Sequence, residues 1–333
     1  MQSIPQEIVR KYSGRPPAIN RVIETLKRHN YYVTLRPIMG DAPKNFIYVY
    51  EFRNGKCVRN DTKTWIPYIA KVGHKWYPVE SITEYLLNRI GEILNLEMAK
   101  SRLAIINGQL RFLSRFFLDD NEQLIHGAEI FSNYLRDPEL VEQIGIRKEE
   151  QSWFTFQFVE ASIKSSFPEQ ADNFIESFVK LLIFDALTGN NDRHHFNWGI
   201  VTSVIENKYK TRFSPIYDTA RGLFWTTSDA QIEVWGRNPQ QVALQIRKYA
   251  EGSKPQTGWE NRDSINHFQL IELLAKEKRF VPLVETMRQQ CNADKIFRLI
   301  DSEFVFLMTS QRRNLIKIYI QTRFERLQNI PLR

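Results

Sequence analysis

Near Phe117 the spacing of the apolar residues changes, which limits the chain to folds that place a small mixed sheet-and-helix part before a larger helical one. Asn45 to Phe52 (NFIYVYEF) and Ile66 to Val72 (IPYIAKV) are short runs of β-branched and aromatic residues. The turn-prone pairs Asn54-Gly55 and Asn60-Asp61 lie between them, so a small antiparallel sheet is predicted. From Ser81 to Glu97, Ile82, Leu86, Ile90, Ile93 and Leu94 recur at helical spacing, and Ser81 with Glu84 predicts a capping box. Strand character returns at Leu103 to Ile106 and Leu110 to Phe117, around the turn Asn107-Gly108. Beyond Phe117 the stretches Asp172 to Thr188, Ser264 to Lys278, Asp294 to Met308 and Gln311 to Leu327 all carry helical spacing. One insert breaks that run: Trp198 to Val204 and Tyr209 to Tyr217, joined through Glu206-Asn207-Lys208, read as a hairpin. The expectation is an α+β, two-lobed fold, with a small antiparallel-sheet lobe holding one helix (1–117) and a helical lobe (118–333).

Composition narrows the class. The chain has 333 residues, 42% hydrophobic and 25% charged, close to the globular average. No stretch approaches the roughly 18 apolar residues of a membrane span. The N-terminus MQSIPQEIVRKYSGRPP has no apolar core before a small-residue cleavage site, so a cytoplasmic protein is expected, with export by an apparatus that needs no cleavable signal left open. Cys57 and Cys291 are too few for a disulfide framework or a four-ligand zinc site and read as packing residues. The net charge of +8 favours phosphate-rich partners such as nucleotide, tRNA or DNA. Because Lys and Arg are spread along the chain, a solvated surface is the first reading of that charge, and nucleic-acid contact stays open.

The chemistry gathers at the two ends of the hairpin. Thr188-Gly189-Asn190-Asn191-Asp192-Arg193-His194-His195-Phe196-Asn197 is a polar turn feeding the first hairpin strand, and Pro215-Ile216-Tyr217-Asp218 closes the second. Phosphoryl transfer needs a carboxylate to orient or accept the proton of the attacking hydroxyl, and oxygen ligands to hold Mg²⁺ against phosphates. Asp192 suits the first role; Asn197 and Asp218 suit the second. The D-x-x-x-x-N spacing equals that of the protein-kinase catalytic loop, and a hairpin would return Asp218 to the metal. An isolated Asn-Asp pair would more simply satisfy its own loop backbone. Neighbouring His194 and His195 point to opposite sides of an extended segment and complete no metal set, so one of them braces the loop by hydrogen bonding. Arg193 either contacts phosphate or braces the loop against a nearby carboxylate.

Upstream, Lys71 at the end of a strand and Glu84 in the next helix suit a phosphate-gripping lysine held by a helix carboxylate. The segment Ile38-Met39-Gly40-Asp41-Ala42-Pro43-Lys44 is a candidate phosphate-covering turn, although an ordinary turn explains one glycine nearly as well.

These residues resemble the HipA-like serine/threonine kinase family, whose loop reads N-x-D-R-H-x-x-N and whose metal-binding aspartate follows a tyrosine. Asn190 to Asn197 and Pro215-Ile216-Tyr217-Asp218 carry the match. Glu84-Tyr85-Leu86 resembles the start of the family's helix C, Arg115-Phe116 its hinge, Ile125-His126-Gly127-Ala128-Glu129 the segment after the hinge, and Gly40 to Lys44 its G-x-x-x-K phosphate loop. The resemblance runs from about Pro37 to Leu327. It implies ATP, Mg²⁺ and phosphorylation of a protein hydroxyl, with Asp192 as catalytic base, Asn197 and Asp218 as magnesium ligands, and Lys71 on the nucleotide. The backbone near Arg115 and Phe116 would meet adenine, and Gly40 and Lys44 the phosphates. For the toxin members it also implies an antitoxin partner and aminoacyl-tRNA synthetase targets; for the shorter branch, translocated kinases acting on host proteins. The chain begins close to the kinase core, as in that shorter branch, and carries Pro37, Ile38 and Met39 where toxin members have a regulatory serine.

A phosphoinositide kinase is the alternative enzyme, since such kinases share a D-R-H-x-x-N loop. The stretch Thr219 to Thr257 holds only Arg221, Arg237, Arg247, Lys248 and Lys254 as fixed cations, a scattered set for a lipid headgroup. A non-catalytic nucleotide-binding or DNA- and antitoxin-associated module is the alternative of another class.

Overall fold

The computed structural model describes residues 23–35, 44–52, 56–73, 79–205 and 209–332. Five strands, β1 (Tyr31–Thr34), β2 (Lys44–Val49), β3 (Ile66–Val72), β4 (Ser101–Ile106) and β5 (Gln109–Arg115), form an antiparallel sheet in the order β1-β2-β3-β5-β4. Alternation decides its two faces. Tyr68 and Ala70 of β3 join Ile47, Val49, Ala104, Ile106 and Leu113 in a small core on one face, so Ile69 and Lys71 point to the other.

Helix α1 (Glu80–Ile93) follows β3 and packs on β4 and β5, burying Ile82, Leu86, Leu87 and Ile90. The predicted capping box does not form. Val79 is the N-cap, without a side-chain cap bond, and Ser81 already lies inside the first turn. Glu84 is drawn instead to Lys71, because a buried carboxylate gains more from an ammonium than from a backbone amide. The helix also stops four residues before its predicted end, with Asn95 in the left-handed region at φ 54°.

The remainder is mainly helical. After β6 (Glu122–His126) come α2 (Gly127–Leu135), α3 (Pro138–Arg147), α4 (Glu150–Trp153), α5 (Phe156–Ser166) and α6 (Ala171–Thr188). Then follow β7 (Gly199–Ser203), β8 (Arg212–Phe213), α7 (Asp229–Gly236), α8 (Pro239–Gly252), α9 (His267–Leu274), α10 (Val281–Gln290), α11 (Ala293–Glu303) and α12 (Ser310–Gln328). The predicted hairpin appears as β7 and a two-residue β8, extended by β6 into a three-stranded antiparallel sheet; its joining residues 206–208 lie outside the described residues. The sequence reading assigned no helices between Gly127 and Ser166. Their start signals are present, however: Asp137 caps Leu140 ahead of Pro138, and Thr155 caps Phe158.

Helix α6 is the centre of this part. From Phe174 to Leu187 it is apolar almost all round, and α5, α9, α10 and α12 pack against it, as a fully buried helix requires. Each large side chain buried there contributes about 1.5–3 kcal/mol. Gly189 ends the helix at φ +70°, its amide donating to the Asp185 carbonyl at 2.8 Å, and so turns the chain into the Asn190 loop.

A Cβ at Gly189 would lie 2.0 Å from the Tyr319 hydroxyl, a buried group without a hydrogen-bond partner among the described residues. Gly189→Ala should therefore cost about 2–4 kcal/mol, from the left-handed φ and the collision together. Tyr319→Phe, which removes the colliding and unpaired oxygen, should restore part of that loss. Urea unfolding of the two single variants and the double variant checks this; an unperturbed Gly189→Ala would refute it.

Candidate active site

Asp185 is the single charge in the apolar stretch Leu181-Leu182-Ile183-Phe184-Asp185-Ala186-Leu187, and it is almost fully buried. Such a carboxylate needs a cation. Arg193 supplies it, donating from Nε to Oδ2 at 2.9 Å and from Nη2 to Oδ1 at 3.1 Å. The same guanidinium donates from Nη1 to the Asn197 carbonyl at 2.8 Å and the Tyr217 carbonyl at 2.7 Å. One arginine thus ties α6, the loop after it and the residue before Asp218 into one unit. Of the two roles open to Arg193 in the sequence, it takes the bracing one. Burial opposes its charge, but Asp185 holds its pKa above the ordinary value.

Side chains of the loop shape its backbone. Asn190 donates to Asp185 Oδ1 at 2.8 Å and accepts from the Asp192 amide at 3.2 Å. Asn197 donates its amide to the Asp192 carbonyl at 2.8 Å. Its Oδ1 then has no hydrogen-bond donor among the described residues. His194 Nδ1 accepts from the Phe196 amide at 3.2 Å, the bracing contact expected of one histidine. His195 turns inward among Phe131, Phe154 and Phe196, and neither ring nitrogen has a hydrogen-bond partner among the described residues. Burial pushes it down to about 4, with the nearby His194 and His126 acting in the same sense. Partial burial raises the Asp192 carboxyl above its usual range, against the pull of His194 and Arg221.

Asp218 approaches from the other side. Residues 97–99 hold the segment before it, through Ile216 to Glu97 at 2.7 Å and Ala99 to Ile216 at 2.9 Å. Asp218 takes φ 54°, and Leu223 and Phe224 take 51° and 59°, so three non-glycine residues within seven positions adopt the left-handed region. Such strain persists only where the surroundings over-determine it. Here Arg312 of α12 reaches the Phe224 carbonyl at 3.4 Å and the Thr227 carbonyl at 2.5 Å, while pairing with Asp229 at 2.6 Å.

Across the cleft, Lys44 and Lys71 are directly opposed partners of β2 and β3, and so share the sheet face that carries Lys71. Opposed like charges repel. Anions resolve the repulsion: Lys71 Nζ lies 2.7 Å from Glu84 Oε1 and 3.1 Å from Asp218 Oδ1, and Lys44 Nζ lies 3.7 Å from Asp218 Oδ2. Burial would lower Lys71, but Asp218 and Glu84 hold it above the usual lysine range. Burial likewise works against an ionised Asp218, yet the two lysines keep it well below the carboxylate range. Glu84 is pushed up to about 7 by burial, only partly offset by Lys71.

Of the predicted site residues, the structure brings Lys71, Glu84, Lys44 and Asp218 together and places Asp192 and Asn197 in one braced loop. Gly40 lies outside the described residues. Arg115 ends β5 and Phe116 follows it, and their amides are committed to the Lys100 and Pro67 carbonyls at 2.7 and 3.0 Å. The sequence reading missed Asp185 and the opposed placement of the two lysines. A carboxylate inside the otherwise apolar run Leu181 to Leu187 was a visible signal for the first.

The arrangement suits phosphate chemistry: two lysines stand beside a carboxylate kept ionised, with a second carboxylate and a carboxamide on the neighbouring loop. Asp218 and the free Oδ1 of Asn197 are hard oxygen donors, which fit Mg²⁺, an ion that takes one or two protein carboxylates and completes its shell with water and phosphate. Among the described residues no cluster of three or more His, Cys, Asp or Glu side chains forms a metal cage.

The HipA-like C-terminal domain model matches residues 38–294. The chain belongs to this family. No curated protein sequence matches it. Among solved structures, the Helicobacter pylori proinflammatory kinase CtkA aligns with a TM-score of 0.69 at 16% identity, over 92% of this chain and 95% of that one. A chain of the Shewanella oneidensis HipA, HipB and operator DNA complex aligns with a TM-score of 0.48 at 13% identity, over 88% of this chain and 64% of that one. The HipA-like chain therefore has the kinase-like fold of CtkA, an antiparallel sheet with one helix joined to a mainly helical part. No helix among its described residues is long and apolar enough to cross a membrane.

Asp185→Asn should cost about 3–5 kcal/mol, because it leaves Arg193 buried without its counter-charge. Urea denaturation measures this, and a loss under about 1 kcal/mol would show that the pair does not organise the loop. The pH dependence follows from His195. Its folded pKa of about 4 lies below its unfolded value of about 6.5, so the unfolded chain takes up the proton first as pH falls. The stability tied to its neutral form is complete above pH 6.5 and is lost on acidification towards pH 4, by up to about 3 kcal/mol. His267 acts in the same sense, and Glu84 in the opposite one between about pH 7 and 4.5. The difference between wild type and His195→Leu isolates the term: the variant should lose less stability between pH 7 and 4.5, and parallel profiles would refute the assignment.

Proposed function

We propose that the protein is an ATP- and Mg²⁺-dependent serine/threonine protein kinase of HipA-like type, with residues 1–117 and 118–333 as its two lobes. The observation that carries the reading is the opposed pair Lys44 and Lys71, drawn with Glu84 onto Asp218 beside the loop of Asp192 and Asn197. Two adjacent lysines on one sheet face, gathered with Glu84 around Asp218, are placed to take up nucleotide phosphates as further anionic partners.

In this reading Lys71, oriented by Glu84, grips the α- and β-phosphates, and Lys44 reaches the phosphates from β2. Asp218 and the Asn197 carboxamide hold the magnesium ion, which when bound neutralises charge on the phosphate oxygens. Asp192 orients the acceptor hydroxyl and accepts its proton. The acceptor oxygen bonds to the γ-phosphorus as the bond to the β–γ bridging oxygen breaks, and that electron pair stays on ADP. The raised pKa of Asp192 suits a group that must take a proton and release it to solvent. Gly40 would cover the phosphates. Adenine would meet the chain at Arg115 and Phe116 through their carbonyls, since their amides are committed.

Transfer of labelled phosphate from ATP to a generic basic protein, and separately to phosphoinositide vesicles, tests the reading. Label on protein is expected; label on lipid alone would make the enzyme a lipid kinase, and label on neither would overturn the proposal. Asp192→Ala should lower turnover roughly 10²- to 10⁴-fold with ATP affinity nearly unchanged. Lys71→Met should lower it by several orders of magnitude at little cost in thermal stability, and adding Glu84→Ala should change little further, since the two act as one unit. Additive losses, or full activity of Lys71→Met, would remove these residues from the nucleotide site.

A further inference from the structure

Among the described residues, each cation near the candidate site has an evident task except one. Arg193 has its donors distributed over Asp185 and two carbonyls, and Lys71 and Lys44 face Asp218. Arg221 differs. Its Nε stands 3.6 Å from Asp192 Oδ2 and 3.8 Å from Glu80 Oε1, beyond hydrogen-bonding distance of either, and its guanidinium donates no hydrogen bond among the described residues. The side chain is 41% exposed, so its free N–H groups are open to an incoming group.

The position is nevertheless built. The guanidinium carbon lies 4.1 Å from the centroid of the Trp225 ring, a cation–π contact that holds the side chain in place. The backbone is joined to the Asp192 loop from both sides: Asn191 donates to the Arg221 carbonyl at 3.4 Å, and Leu223 donates to the Thr188 carbonyl at 3.3 Å. Gly222 passes so close to Thr188 that a Cβ would lie 2.9 Å from its carbonyl oxygen. The strained φ values of Leu223 and Phe224 follow directly. A surface arginine needs none of this.

We infer that Arg221 is a catalytic residue whose guanidinium contacts the transferred phosphoryl group beside Asp192. The inference rests on the kinase reading above. A hydroxyl whose proton passes to Asp192 stands about 2.6–3.2 Å from its carboxylate. The phosphorus under attack lies one bond beyond that hydroxyl, and the Arg221 guanidinium stands with its Nε 3.6 Å from the same carboxylate. Charge that spreads over the three equatorial oxygens in the transition state then meets a fork of aligned donors, the task an arginine supplied in cis performs in phosphoryl transfer. Both lysines approach from the Asp218 side, whereas Arg221 alone of these cations stands beside Asp192.

The competing role is a strut between the Asp192 loop and Glu80 at the start of α1. Three measurements on the full chain separate the two. Arg221→Ala should lower turnover on the order of 10³-fold while ADP affinity changes less than about threefold. By calorimetry, wild type should bind ADP with aluminium fluoride, which mimics the planar phosphoryl group, far more tightly than ADP alone, and Arg221→Ala should lose that preference. Millimolar guanidinium should restore part of the turnover of Arg221→Ala, and Glu80→Gln should stay near wild type. Unchanged turnover in Arg221→Ala, equal loss of affinity for both ligands, or a Glu80→Gln defect as large as that of Arg221→Ala would each overturn the inference. If wild type itself transfers no phosphate, the kinase reading falls and this assignment with it; an active wild type matched by Arg221→Ala removes only Arg221.

Discussion

The buried pair between Asp185 and Arg193 is the constraint on which the site depends. Neither charge is stable alone inside a helix bundle, and the pair forms only if the loop after α6 folds back so that Arg193 meets the last turns of the helix it has just left. Once there, the guanidinium has donors to spare, and the carbonyls of Asn197 and Tyr217 take them. Asp192, Asn197 and Asp218 are thereby fixed relative to one another by a residue that need not touch any substrate. The pair need not add net stability. It selects one loop conformation, because every alternative strands a buried charge.

A second constraint lies across the cleft. The register of β2 against β3 sets Lys44 opposite Lys71, and α1 brings a buried Glu84 to the same place. The sheet and the loop are then drawn together by electrostatics, since Asp218 is the anion both lysines face. Its left-handed backbone is the local cost of that approach, and Arg312 helps hold the strained segment in place. Lysines stand beside Asp218 and Arg221 beside Asp192, so the two carboxylates lie in different fields. That difference is reflected in opposite shifts of their acidities.

What the sequence by itself determined is considerable. Period-two runs specified β2, β3, β4 and β5, helical spacing specified α1, α6, α9, α11 and α12, and the D-x-x-x-x-N loop with its hairpin marked the candidate site. These features are local, since strand and helix spacing express which face of one element is buried. Ser81 and Glu84 show the limit of local reading: their spacing matched a capping box, but Glu84 turned to a lysine thirteen positions earlier in the chain. Only the tertiary structure decided that Asp185 pairs with Arg193, that Lys44 opposes Lys71, and that Arg221 stands beside Asp192 on a tryptophan. Each depends on a strand register or on a chain reversal, and the energies that fix these are charge burial and packing between segments distant in sequence, which no periodicity encodes.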